Sequence, residues 1–128
     1  MRADIGLLAL RIVGGFFMLY LHGWQKLQNY AAMAPNFADP FGIGPVPSFW
    51  LVIFAEVVCA FFVLLGIATR WVSIPLAITM AVAGFMIHAA DPLKGKELAF
   101  VYLLIYVALV CLGGGRIGLD NLVKRARN

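Results

Sequence analysis

At 128 residues, with 63% hydrophobic and only 12% charged residues, the chain is long enough for one domain and too poor in charge to coat a soluble one. Ten bases against six acids give a net charge of +4, but the bases stand at chain ends and loops, where membrane orientation uses them, so nucleic acid is not the partner they indicate. The class that remains is an integral membrane protein whose partner is the lipid bilayer.

The first apolar run spans about Ile5 to Leu27. Arg2 gives it a weakly basic start, but Arg11 interrupts it and it ends in His22, Trp24 and Lys26 without a small-residue cleavage signal. It is therefore read as a retained crossing and not as a signal peptide. Arg11, Gly15, Met18, His22 and Gln25 recur at helical spacing and form one stripe, with Lys26 at its border. Gly14 and Gly15 invite close approach of another helix. A Pro- and Gly-rich loop follows over 28–47 ("APNFADPFGIGPVP"), in which Phe37, Phe41 and Ile43 suggest a dip into the interface.

The second crossing is expected over 48–67, with Glu56 on one face with Cys59, Ala60 and Val63. At about 1.5 Å rise per residue, Arg11 and Glu56 differ in depth by less than roughly 10 Å, which puts a salt bridge between the two deepest charges within reach. Ala68 to Arg70 form a tight turn into a third crossing over 71–90, with Pro75 in its first turn. There Ala77, Ala81, Gly84 and His88 share a small-residue face. The link "DPLKGKE" leads to a fourth crossing over 98–112, where Tyr102 and Tyr106 stack one turn apart beyond Glu97 and three glycines stop the helix. The fold expected is a single all-α domain, a polytopic four-transmembrane-helix bundle. The basic tail, 116–128, is read as a short helix with Leu119, Leu122 and Val123 in lipid, or as a frayed polar end.

Six bases (Arg2, Arg70, Arg116, Lys124, Arg125 and Arg127) fall on one side and three (Lys26, Lys94 and Lys96) on the other, which places both termini in the cytoplasm. Arg11 and Glu56 read either as a structural pair that fixes register or as functional charges; His22 and His88 either as interface residues or as ligands. Trp24, Trp50, Trp71 and Lys26 read as headgroup anchors. Cys59 and Cys111 form no CxxC pair and read as inert thiols, and two separated histidines with one carboxylate do not make a metal site.

From Leu8 to Asp120 the chain resembles the DoxX family of small bacterial and archaeal membrane proteins. The resemblance rests on "LRIVGGFFMLYLHGWQKL", "FAEVVCAFFVLLGIATR", "LAITMAVAGFMIH" and "GGGRIGLD" in this order and spacing. It marks Arg11, His22, Gly23, Lys26, Glu56, Gly66, Thr69, Arg70, His88 and Asp120. Val57, Val58 and Cys59 replace the small pair that follows the family glutamate, which argues against close helix contact there. The resemblance implies a four-helix protein of the bacterial or archaeal cytoplasmic membrane. It also implies a redox role, since some members are described as subunits of a thiosulfate:quinone oxidoreductase or proposed as quinol oxidase subunits.

The leading expectation is a quinone-interacting subunit of an oxidoreductase system. Its site would lie toward the extracytoplasmic side, with Glu56, His22 and His88 catalytic and Arg11, Gln25, Lys26 and Tyr102 binding the ligand. No haem, flavin or iron–sulfur motif is visible, so electrons would come from a soluble redox partner or a sulfur or thiol donor. The alternatives are a non-catalytic membrane anchor for a partner protein, and a small transporter or proton pathway. The small-residue faces are compatible with a homodimer.

Overall fold

The computed structural model describes residues 1–127. Four helices, Arg2–Gln28, Pro45–Leu65, Thr69–Ile87 and Leu93–Leu112, are long and apolar enough to cross a membrane. A shorter helix, Leu119–Arg127, forms the tail, and no strand occurs among the described residues. Asn128, the last residue of the expected tail, lies outside them.

The boundaries differ from those read in the sequence. The first helix takes in Arg2 to Asp4, because the Asp4 carboxylate accepts the Arg116 N–H at 2.8 Å and ties this end to the tail. The second helix starts on Pro45, which needs no amide partner in a first turn. The third starts on Thr69, so Pro75 sits in its second turn and not its first. The fourth reaches back to Leu93, through the charged link.

Consecutive helices pack as antiparallel neighbours, and the fourth returns to the first. Met18, Ala60, Val63, Leu76, Tyr106 and Leu109 are fully or almost fully buried between them. Phe16, Leu51, Phe54, Phe61, Ile78 and Leu104 are exposed on the outside, where lipid chains take the place of water. The expected small face of the third helix is rotated: Ser73, Leu76, Met80 and Gly84 are buried, while Ala77 and Ala81 lie at its border. Gly84 gives room to the Phe100 ring.

Glycines set the contact between the first two helices. A Cβ on Gly15 would sit 2.7 Å from the Leu64 nitrogen, and one on Gly23 would collide with the Glu56 carbonyl oxygen. The backbones therefore touch at Glu56 despite Val57, Val58 and Cys59. The space that Val57, Val58 and Cys59 do not leave is supplied by Gly23 on the opposite helix.

The expected Arg11–Glu56 salt bridge does not form. Gly15 meets Leu64 and Gly23 meets Glu56, so antiparallel packing carries Arg11 past the end of the second helix and away from Glu56. Buried at 2% exposure, Arg11 donates from Nε to the Val63 carbonyl and from Nη2 to the Leu64 carbonyl, both at 2.9 Å. Its Nη1 donates to the Gly114 carbonyl at 3.2 Å and to that of Ile117. The last turn of a helix carries carbonyls without intrahelical donors and a partial negative charge, and a guanidinium answers both. Gly66 closes this helix in the left-handed region (φ +76°), and a Cβ there would stand 2.6 Å from Arg11 Nη2 and 2.8 Å from the Gly118 Cα. Arg11 is thus a clasp joining the second helix to the glycine-rich segment 113–118.

Candidate functional site

At the other end of the bundle, Lys26 lies about one turn beyond Gly23 and reaches the carboxylate that this contact brings close. Its Nζ stands 2.5 Å from Glu56 Oε1. The Glu56 side chain is 3% exposed and that of Lys26 22% exposed, so the acid is interior and the base reaches toward the surface. No other protein group among the described residues donates to the Glu56 carboxylate. The turn around Glu56, Phe54–Cys59, is wound as a π-helix, as is Ala83–Ile87 opposite it; such wide turns recur at functional sites.

A cavity of about 360 Å³ opens between the second and third helices under the long loop. Lys26, Glu56 and His88 contribute its charged and ionisable lining; Val52, Met80 and Ala83 are among its apolar walls. Leu51, Ile78 and Phe41 also border it and are themselves largely exposed, so its flank is open to the apolar surroundings of the bundle. His88 closes the third helix at the mouth, with Nδ1 2.8 Å from Asp91 Oδ2.

The loop over the cavity has its own frame. Asp39 accepts from the Ile43 N–H at 3.0 Å, the Gly44 N–H at 2.9 Å and the Ser48 hydroxyl at 3.0 Å. Behind it, the Phe49 ring meets those of Phe37 and Tyr30 edge to face. Partial desolvation pushes the Asp39 carboxyl up, but the hydrogen bonds from Gly44, Ser48, Ile43 and Gly42 together outweigh it and hold the pKa below its ordinary value. A depressed folded-state pKa means that the contribution to loop stability is whole above the unfolded value and is lost as pH falls through the folded one. Amide exchange at Ile43 and Gly44, corrected for intrinsic rate, is expected to stay flat between about pH 5 and 8 and to accelerate only in stronger acid. Asp39→Ala should accelerate it at neutral pH as well.

The residues singled out in the sequence separate into four places. Lys26, Glu56 and His88 share the cavity. His22 and Tyr102 do not line it; they pack against each other edge to face, with ring centroids 5.5 Å apart, between the first and fourth helices. Tyr102 stacks on Tyr106 at 6.1 Å, and the Tyr106 hydroxyl donates to the Gly14 carbonyl at 2.8 Å. Arg11 is at the opposite end of the bundle. Gln25 is exposed, because the first helix is wound in wide turns over Ile12–Phe17 and Leu19–Gly23 and Lys26 takes the inward direction that α-helical spacing gave to Gln25. Asp39 and Ser48 were not singled out, although an Asp ahead of a Gly-Pro turn is a recognisable signal. Among the described residues no three of His, Cys, Asp and Glu gather as a metal-binding group.

Comparison with known proteins gives a family and three relatives. The DoxX family profile matches residues 6–89. An uncharacterized protein of Haemophilus influenzae is 29% identical, over 96% of this chain and 86% of its own length. A second from the same organism is 32% identical, over 88% of this chain and 86% of its own length. A Bacillus subtilis protein with the name "Putative oxidoreductase CatD" is 29% identical, over 97% of this chain and 91% of its own length. No solved structure matches.

Proposed function

The chain belongs to the DoxX family of multi-pass membrane proteins, and from that premise we propose that it is the quinone-binding membrane component of an oxidoreductase system. One observation carries the reading: a buried carboxylate, paired with an ammonium that reaches toward the surface, borders an apolar cavity whose flank faces the lipid. The name of the Bacillus subtilis relative supports an oxidoreductase.

The donor set fits the headgroup. The Lys26 ammonium can donate to a quinone carbonyl, His88 at the mouth can take up a proton from water, and Glu56 can relay it inward, so that the two electrons from the donor are matched by two protons on the quinone oxygens. A bound quinone supplies two-electron, two-proton chemistry. The chain supplies orientation, a proton relay at Glu56 and a water-poor wall of Val52, Met80 and Ala83. Leu51 and Ile78 leave a lateral way in for an isoprenoid tail. Electrons come from a soluble partner or donor. With the six bases at the Arg11 end in the cytoplasm, the cavity lies toward the extracytoplasmic side of the cytoplasmic membrane, and the donor meets it there.

The purified protein in neutral nanodiscs is expected to bind short-chain ubiquinone or menaquinone analogues saturably. Glu56→Gln should weaken that binding about tenfold or more, the scale of a hydrogen bond to a charged group. Absence of saturable binding for both analogues, or binding indifferent to Glu56→Gln, would overturn the reading.

A further inference from the structure

The Arg11 end of the bundle carries a second cavity, of about 320 Å³, between the start of the first helix and the tail. Met1, Asp4, Arg116, Asn121, Leu122 and Arg125 are among the residues that line it. We propose that this groove binds the headgroup of an anionic phospholipid, with its phosphodiester between Arg116 and Arg125 and its acyl chains along Ile117 and Leu122.

The tail helix is fixed at the level where the crossings end. Asp120 accepts the Ala68 N–H at 2.6 Å and donates its own N–H to the Gly66 carbonyl at 3.2 Å, while Arg11 holds the Ile117 carbonyl. Ala68 and Gly66 form the turn between two membrane crossings, so a helix tied to both begins at the bilayer surface. Leu122 and Val123 are exposed by 62% and 53%, and Leu119 by 38%, on one side of that helix. Exposed leucines on a basic helix at this level fit the headgroup–acyl boundary.

Basic groups at the groove outnumber its carboxylate: Arg116, Arg125 and the Met1 ammonium line it with Asp4. Asp4 is engaged with the Arg116 backbone, and Asp120 caps the Ala68 turn. Among the described residues no carboxylate forms an ion pair with Arg116, Lys124, Arg125 or Arg127. Guanidinium groups suit the forked oxygens of a phosphodiester, and the apolar neighbours select a lipid over a free phosphate.

The test uses the full chain in neutral detergent. Retention of phosphatidylglycerol is compared with that of phosphatidylcholine of the same acyl chains, by native mass spectrometry over a lipid titration. Phosphatidylglycerol should bind about tenfold or more tighter. Each interfacial base is worth roughly fivefold, so Arg125→Gln alone should give up about that factor and Arg116→Gln/Arg125→Gln most of the preference. The Arg125 side chain is exposed and has no hydrogen-bond partner among the described residues, and Arg116 keeps its backbone bond to Asp4, so neither change removes a described side-chain contact of the fold. Lys94→Gln/Lys96→Gln at the opposite end should leave the preference intact, and glycerol 3-phosphate should not displace the lipid. Equal retention of the two lipids would overturn the proposal. So would an equal loss in the Lys94/Lys96 variant, or displacement by glycerol 3-phosphate, which would assign the groove to a free phosphate.

Discussion

Arg11→Met is expected to lower the stability of the folded bundle by about 3–5 kcal/mol, the range found when one partner of a buried charged network is removed. The side chain it replaces serves four carbonyls in two separate segments. Methionine fills much of the volume and donates nothing, so the last turn of the second helix and the glycine-rich segment lose their shared donor at a site where the arginine is only 2% exposed. Arg11→Lys should recover only part, because an ammonium lacks the planar spread of a guanidinium. Reversible unfolding in mixed micelles measures the loss. The surviving folded fraction of Arg11→Met should still bind quinone analogues, since the cavity is at the other end. A loss under 1 kcal/mol would show that the four bonds are replaceable.

Lys26→Met should be comparably costly, by about 3–5 kcal/mol, and for a different reason: it strands the Glu56 carboxylate, 3% exposed, without its ion. Glu56→Gln should cost less. The ammonium left behind is on a flexible stem, 22% exposed, and can swing toward headgroups and water. The double variant Lys26→Met/Glu56→Met should regain most of the stability that Lys26→Met loses, because replacing both ions by apolar groups removes the unpaired charge. It should also fail to bind quinone analogues. Stability restored with binding lost would separate the structural from the functional work of the pair. If Lys26→Met alone proved nearly neutral, the pair would behave like an exposed bridge, and the cavity would lose its polar end.

Much of the fold was legible because the bilayer imposes it. Length and apolarity identify four crossings whatever their packing, and the same reading found Gly14 and Gly15 and the stacked tyrosines. Partner choice was not legible. Arg11 and Glu56 were matched as the two deepest charges on the assumption that the helix midpoints are level, whereas Gly15 meets Leu64 and Gly23 meets Glu56, a stagger that helix lengths do not reveal. Backbone carbonyls, which satisfy Arg11, carry no signature in a sequence. Gln25 was assigned inward because α-helical spacing was assumed where the winding is wider. Lys26 looked like an anchor at the membrane surface, and its pairing with Glu56 appears only once Gly23 brings the two helices into contact.

The wide turn at Phe54–Cys59 has a consequence for phase. In a regular α-helix of about 3.6 residues per turn, positions eight apart drift by roughly 80°. Glu56 and Leu64 are such a pair, and both must look toward the first helix, one to receive Lys26 and the other to receive Arg11. A stretch that spends more residues on each revolution takes up part of that drift. Deleting one residue within it would leave a helix of nearly the same length and hydropathy, able to satisfy one of the two contacts and turned away from the other.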